Sequence, residues 1–422
     1  MAGRALFAFG WLPRRVLGIG LAAALAVPAV VVSATPSEAA ALPARQLPAK
    51  PWRAGQWYLD TLQVAKAWQV TKGQGVTVAV IDSGVLAEHP ALLGRVLPGA
   101  DLNEGEYWTT DDPGTRDGQG HGTAIASLIA GNGAGGFYGV APQSAVLPLQ
   151  ISTSFFGAGG SPPDPTAAAR GVVYAVDHGA KVINLAFGEV GGEYLHLEEA
   201  IAYAQRKGVV VVAAAGNEGK SQIINPAAYP GVISVGAVGR DRSRTRESNY
   251  GKRLAVTAPG EDLLMAAIRN VGALGQGAAG GFGTSHGTSY ATGFVSGVVA
   301  LVRSRYPKMS AEEVVNRVVR SATDLGPQGR DAEYGFGLIN AATAVTGNVP
   351  EAATNPLGSM APPPVQEDEE PGTAAMGAAV VAGSGLLALV GPVLVGLGVW
   401  WLVRVGRRRS ERGLLTGPIH SR

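Results

Sequence analysis

Val76-Thr-Val-Ala-Val-Ile-Asp-Ser-Gly-Val85 is a β-branched run that stops abruptly at Asp82 and Gly84. An unbroken apolar run of this length, closed by turn residues, predicts a strand buried on both faces, as in a parallel sheet. It delivers a carboxylate to the carboxyl end of that strand, the edge where open α/β sheets build their sites. Taken alone, Asp82 reads equally well as a turn-forming aspartate.

Downstream the pattern alternates. Residues 145–151, 180–187, 208–215, 231–238 and 254–258 are strand-like, whereas 165–178 and 194–207 have helical periodicity. Strands interleaved with helices of this length predict βαβ units, hence an α/β fold with a parallel sheet and helices on both faces. The strand from Gly208 ends in Ala-Ala-Ala-Gly-Asn-Glu-Gly219. Asn217 is therefore a second polar group at a carboxyl edge, or a turn amide.

Two glycine-rich stretches open helices. Asp117-Gly-Gln-Gly-His-Gly-Thr123 leads into Ala124, Ile125, Leu128 and Ile129, which places His121 in a first turn. Gly283-Thr-Ser-His-Gly-Thr-Ser-Tyr-Ala-Thr-Gly-Phe-Val295 runs into Val298, Val299, Leu301 and Val302, which places Ser289 at the mouth of a buried helix. The free N–H groups there stabilise the negative charge that an attack on a carbonyl creates. Serine is also a preferred N-cap, so position alone does not make it a nucleophile. His286 reads as a loop residue, and Ser310-Ala-Glu-Glu313 as a capping box that starts a helix through Arg320.

With 46% hydrophobic residues in 422, the chain can bury a large core, and a net charge of +2 gives no sign of a nucleic-acid surface. Its 0 cysteines exclude disulfides, thiolate catalysis and cysteine-bound zinc, so stability outside the cytoplasm must come from packing. Much of the glycine lies in clusters such as 157–160 and 277–283, which read as loops. No run has the ligand spacing of a calcium loop, and no cofactor is implied.

Residues 1–41 read as an export signal: Arg14 and Arg15 precede an apolar run from Val16 to Val32, with small residues Ala39 to Ala41 at a cleavage site. An uncleaved anchor is the alternative. Residues 42–54 form an N-terminal extension. The segment to Gly75 is too short for a folded propeptide domain and carries Trp57, Tyr58 and Trp68, which suit packing on the following domain. One domain spans 55–345. Residues 346–373 are a Pro-rich and acidic linker that includes Glu367-Asp368-Glu369-Glu370. Residues 374–403 carry no charge, are long enough to span a bilayer, and end in Trp400 and Trp401 before Arg404, Arg407, Arg408 and Arg409. A buried core helix is the alternative. The positive-inside rule makes 404–422 a cytoplasmic tail and places the domain on the other side of the membrane.

Asp82, His121, Asn217 and Ser289 together supply, in chain order, an orienting carboxylate, a general base, an oxyanion donor and a nucleophile. The order Asp, His, Ser, set in Asp-Ser-Gly, His-Gly-Thr and Gly-Thr-Ser-Tyr-Ala motifs, resembles the subtilisin-like serine proteases over about 55–345. The resemblance implies peptide-bond hydrolysis. Ser289 attacks, His121 takes and returns the proton, Asp82 fixes the imidazole, and Asn217 with the Ser289 N–H receives the oxyanion. It also implies that Ala186, Phe187 and Gly188 and, opposite them, Ala214, Ala215 and Gly216 flank the primary specificity pocket, with Phe187 as one wall.

The ends of the chain, with the Gln56-Trp57-Tyr58-Leu59 segment, resemble a narrower group, the mycosins. These are membrane-anchored subtilisin-like proteases of type VII secretion systems, so that resemblance implies a secretion membrane complex as partner. Two departures stand out: mycosins commonly carry disulfides, and the family places proline where this chain has Gly293. Glycine costs about 1 kcal/mol in a helix interior, which predicts a looser helix there.

Overall fold

The computed structural model describes residues 52–103, 113–151, 164–188, 195–268, 281–350, 352 and 354–360. The export signal, most of the linker, the apolar run 374–403 and the basic tail lie outside these residues. Among the described residues no helix is long and apolar enough to cross a membrane.

The chain enters through three short helices, α1 (Trp52–Gly55), α2 (Trp57–Thr61) and α3 (Val64–Ala67). The decisive run forms β1 (Thr77–Asp82). After it come β2 (Ala100–Asp101), α4 (His121–Ala130), β3 (Ala145–Gln150), α5 (Pro165–Asp177), β4 (Val182–Leu185), α6 (Leu195–Arg206), β5 (Val210–Ala214), β6 (Ile233–Val238) and β7 (Val256–Pro259). Strands β1 to β7 make one sheet in the order β2-β3-β1-β4-β5-β6-β7, and every pairing in it is parallel. A two-stranded antiparallel hairpin, β8 (Leu263–Ala266) with β9 (Phe282–Ser285), precedes α7 (Thr288–Arg305), α8 (Ala311–Arg320) and α9 (Ala341–Thr346).

Side-chain parity assigns the two faces, because successive residues of a strand point to opposite sides. Val78 and Val80 of β1 join the apolar cluster that holds α4, α7, α8 and α9, whereas Ala79 and Ile81 join the cluster under α5 and α6. Asp82 shares the parity of Val78 and Val80, so it stands on the α4 and α7 face. The same count in β4 puts Val182, Asn184 and Ala186 toward α7, and Ile183, Leu185 and Phe187 toward α5 and α6.

The entry segment is fastened as its aromatic content predicts. Gln56 Nε2 donates to Tyr138 O (2.7 Å) and Gln56 Oε1 accepts from Tyr138 N–H (3.0 Å). The Tyr58 hydroxyl donates to Leu264 O on β8, its ring lies 4.7 Å from that of Phe294 on α7, and Trp57 Nε1 donates to Asp262 O (3.2 Å). With no cysteine in the chain, these contacts hold the segment.

Three sequence expectations are revised. Gly283, read as loop, lies in β9, a Phe-Gly-Thr-Ser strand with one apolar residue and no apolar alternation. Residues 347–360, read as the start of a solvated linker, include a stretch packed on the domain, with Asn355 Nδ2 donating to Gly231 O (3.2 Å). Nor is α7 loosened at Gly293. The helix is continuous, and a Cβ on Gly293 would lie 3.3 Å from Leu128 Cβ and 3.4 Å from Ile125 O. Glycine is there because α4 crosses α7 at that point.

Candidate active site

Asp82 ends β1 with its side chain fully buried, and its carboxylate accepts from His121 Nδ1 at 2.8 and 3.0 Å. An ionised carboxylate can only accept, so Nδ1 carries the hydrogen and Nε2 of the neutral ring is left as the basic nitrogen. His121 is the first residue of α4, after Gly120 at φ 88°. Burial pushes the imidazole pKa down, but the charge and hydrogen bond of Asp82, helped by Asp117, overcome this, and the net shift is upward. Gly122 permits the approach: a Cβ there would meet Gly84 O at 2.1 Å.

The capping of α4 depends on a residue whose role the sequence reading did not assign. Asp117 Oδ1 accepts from Gln119 N–H (2.9 Å), Gly120 N–H (2.7 Å) and the Ser83 hydroxyl (3.0 Å). Its Oδ2 accepts from Thr123 N–H (2.9 Å) and Oγ1 (2.6 Å). One buried carboxylate thus replaces the missing N-cap side chain and ties the start of α4 to the end of β1. Burial pushes its pKa up, against the pull of those hydrogen bonds. The available signal was an aspartate four residues before the histidine, in a stretch too glycine-rich to cap itself.

Ser289 is the second residue of α7, after Gly287 as cap, and is 8% exposed. It is therefore not the N-cap that its sequence context allowed. The neighbouring Tyr290 places its ring 5.2 Å from His121, so the turn bearing the serine lies against the imidazole. Thr292 donates to Ser289 O and accepts from Asn184 Nδ2 (2.8 Å), which links β4 to the serine turn.

Asn217 is exposed, three residues beyond β5, and its amide is fixed by one end. Oδ1 accepts from Thr288 N–H (2.8 Å) and Thr288 Oγ1 (3.0 Å), which leaves Nδ2 as the free donor. A Cβ on Gly287 would lie 3.5 Å from Ser289 Oγ and 3.7 Å from Asn217 Nδ2. The hydroxyl and the amide thus border one space that Gly287 keeps open. His286 stands exposed at the rim.

Ala186 to Gly188 continue past the carboxyl end of β4, and Ala214 to Gly216 run from the last residue of β5 outward; the two strands pair with Leu185 opposite Ala213. Gly216, at φ 109°, has no room for a Cβ, which would sit 2.2 Å from Asn249 Nδ2. Phe187, expected as a pocket wall, is 8% exposed. It lies two residues beyond β4 and belongs to the apolar cluster with Ile223 and Ala227. The structure therefore gathers Asp82, His121, Ser289 and Asn217 at one edge, with Ala186 and Ala214 on the same face.

Residues 73–337 match the model of the Subtilase family, Peptidase S8. Thermitase of Thermoactinomyces vulgaris is 36% identical over 207 residues, 49% of this chain and 70% of thermitase. Subtilisin DY of Bacillus licheniformis is 36% identical over 278 residues, 65% of this chain and 92% of its own. Among solved structures, MycP1 with its N-terminal propeptide removed aligns at TM-score 0.59 and 30% identity, over 70% of this chain and 98% of MycP1. The MycP3 protease from the type VII (ESX-3) secretion system aligns at 0.59 and 30%, over 69% of this chain and 88% of its own.

Proposed function

The chain belongs to the subtilase family of serine endopeptidases, and on that premise we propose that Asp82, His121 and Ser289 are its catalytic triad, with Asn217 as oxyanion donor. The observation that carries the assignment is the buried Asp82–His121 pair at 2.8 Å, next to the first turn of the helix that bears Ser289. His121 Nε2 takes the Ser289 proton as Oγ attacks the scissile carbonyl. The imidazolium, stabilised by Asp82, then returns that proton to the leaving amine. Asn217 Nδ2 and the Ser289 N–H face the developing oxyanion. The substrate is a protein or peptide whose side chain before the scissile bond enters between residues 186–188 and 214–216. A fluorophosphonate probe should label the folded protein and fail to label Ser289→Ala. Labelling that persists in that variant would refute the assignment.

The enzyme is proposed to work outside the cytoplasm. It would be held to the cytoplasmic membrane by 374–403 after export on 1–41, as a mycosin-like protease associated with type VII secretion. Support comes from the charge-free run before Arg404, from the aromatic entry segment, and from similarity to MycP1 and to MycP3, which is described from a type VII system. The same similarity favours a second role as a structural component of a secretion complex. Rescue of secretion in a deletion strain by wild type but not by Ser289→Ala would assign secretion to proteolysis. Rescue by both would assign it to assembly.

A further inference from the structure

The tail does not leave the domain where α9 ends. Asn316 Nδ2 donates to Pro350 O (2.8 Å), Gly231 N–H donates to Leu357 O (3.0 Å), and Met360 N–H donates to Gln205 Oε1 (3.1 Å). Gln205 Nε2 in turn donates to Pro230 O (2.8 Å), and Leu357 packs against the core. Gln205 lies just before β5, and Pro230 and Gly231 just before β6. The tail is thus fastened at the amino ends of the strands, the base of the domain. Asp82, Asn217 and Ser289 lie at the carboxyl ends. Strand β5 runs between the two poles: Val210, at its start, lines a cavity with Ser359 and Met360, and Ala214, at its end, precedes Asn217 by three residues.

Only residues 361–373 separate Met360 from the apolar run. Fully extended, that stretch reaches about 45 Å, no more than the diameter of about 50 Å expected for a domain of roughly 300 residues. A linker of that reach cannot bring the cleft round to the surface it is anchored in while the tail stays docked.

The base is also cationic. Lys72, Lys181, Lys207, Lys252, Arg253 and Arg305 are exposed there, in the turns before strands or at the end of α7. The acidic groups near them include Asp177, Glu312 and Glu313, together with Asp331 and Glu333, which flank Ala332 where its carbonyl accepts from Gly251 N–H (2.7 Å); Glu333 is paired with Arg244. Asp177 accepts from the Tyr203 hydroxyl, and Glu313 is engaged with Ser310 N–H in the capping box. The geometry points to the base of the domain as a docking surface for the headgroups of an anionic phospholipid bilayer, with the cleft held at the opposite pole, away from the lipid. This rests on the anchoring role proposed for 374–403. The tail's own Glu367-Asp368-Glu369-Glu370 run could engage the same cations, so lipid charge is the variable to test.

The absence of cysteine allows clean single-site labelling of the full chain. Fluorophores at Lys181→Cys, on the base, and at Glu88→Cys, exposed at the cleft pole, would be read in nanodiscs that carry a headgroup-borne quencher, with and without phosphatidylglycerol. Hydrolysis of a peptide substrate serves as the folding control. Quenching at Lys181→Cys should exceed that at Glu88→Cys several-fold, rise with phosphatidylglycerol, and fall with salt, as screening requires. Equal quenching, or more at Glu88→Cys, would overturn the orientation. Quenching on the base that ignores lipid charge would overturn the headgroup contact and assign the cations to the tail's acidic run. Protein that elutes apart from the nanodiscs would overturn the anchoring itself, and this inference with it.

Discussion

Both Thr123 groups that face Asp117, the N–H at 2.9 Å and Oγ1 at 2.6 Å, donate to the same carboxylate oxygen, Oδ2. The first turn of α4 is thereby fixed from outside the helix, by the residue that also holds Ser83 at the end of β1.

Asp117→Ala removes five accepted hydrogen bonds and leaves buried donors bare. We expect a loss of about 2–4 kcal/mol in urea unfolding, since each uncompensated buried group costs roughly 1–3 kcal/mol and neighbours relax. Asp117→Asn keeps one acceptor oxygen and should lose less. Both variants should lower kcat through displacement of His121.

The general base must be neutral, and its pKa is raised. The acid limb of kcat/KM should therefore have its midpoint above the ordinary histidine value of about 6.5. The linked stability has the opposite sense. A raised pKa favours the protonated folded state, so this contribution is complete below the unfolded value and disappears as pH rises through the folded one. Activity should climb where this contribution fades, and a limb below the ordinary value would contradict the Asp82–His121 pairing.

Asn217→Ala removes a donor that the ground state needs little. The expected result is a fall of about 10²–10³ in kcat with KM nearly unchanged, a magnitude whose reference measurement was made in subtilisin, a member of this same family. Thr288→Val leaves the amide present but held only by the Thr288 N–H. It should give a smaller loss of the same kind, seen in kcat.

Gly293→Ala sets helix propensity against crowding. Alanine gains about 1 kcal/mol in an open helix, but Leu128 Cβ and Ile125 O belong to a second helix and cannot move alone. Crowding should win, with a net loss of about 1 kcal/mol. The melting temperature should fall by a few degrees, with turnover changed less than the thermal shift would suggest.

Tyr58→Phe leaves the buried Leu264 carbonyl without the hydroxyl and should cost about 1–2 kcal/mol. Tyr58→Ala adds a cavity against Phe294 and should cost about 3–5 kcal/mol. Thermal unfolding would rank the two, and equal effects would show that the hydroxyl matters and the ring adds nothing.

The parallel sheet was legible because its strands are short apolar runs with helical spacing between them, and the site because each chemical group closes such a run or opens a glycine-led helix. Counting from Val78 places Asp82 on the α4 face, and counting from Val182 places Asn184 on the α7 face, where it meets Thr292. The hairpin of β8 and β9 was not legible, since Gly-Thr-Ser carries no alternation and its partner lies beyond a glycine-rich stretch. Asp117 was in plain sight but could not be distinguished from a turn residue, because four of its five donors are the local groups that any turn aspartate can take, and the fifth, the Ser83 hydroxyl, arrives only once α4 and β1 are in contact. The docked tail was concealed by prolines and small residues, which resemble a solvated linker until Leu357 and Asn355 find the turn at Gly231.

The entry segment has a bearing on when the enzyme comes into being. Tyr58 is made early, yet its hydroxyl partner Leu264 stands 206 positions later, and its ring partner Phe294 lies later still, in the serine helix. Contacts of such separation form late and slow the folding of a chain. If the chain is exported from its amino terminus, as proposed above, it cannot close this clamp until the serine helix has also emerged. On that route the entry latch and Ser289 would arrive together, and a half-delivered chain would hold no working site.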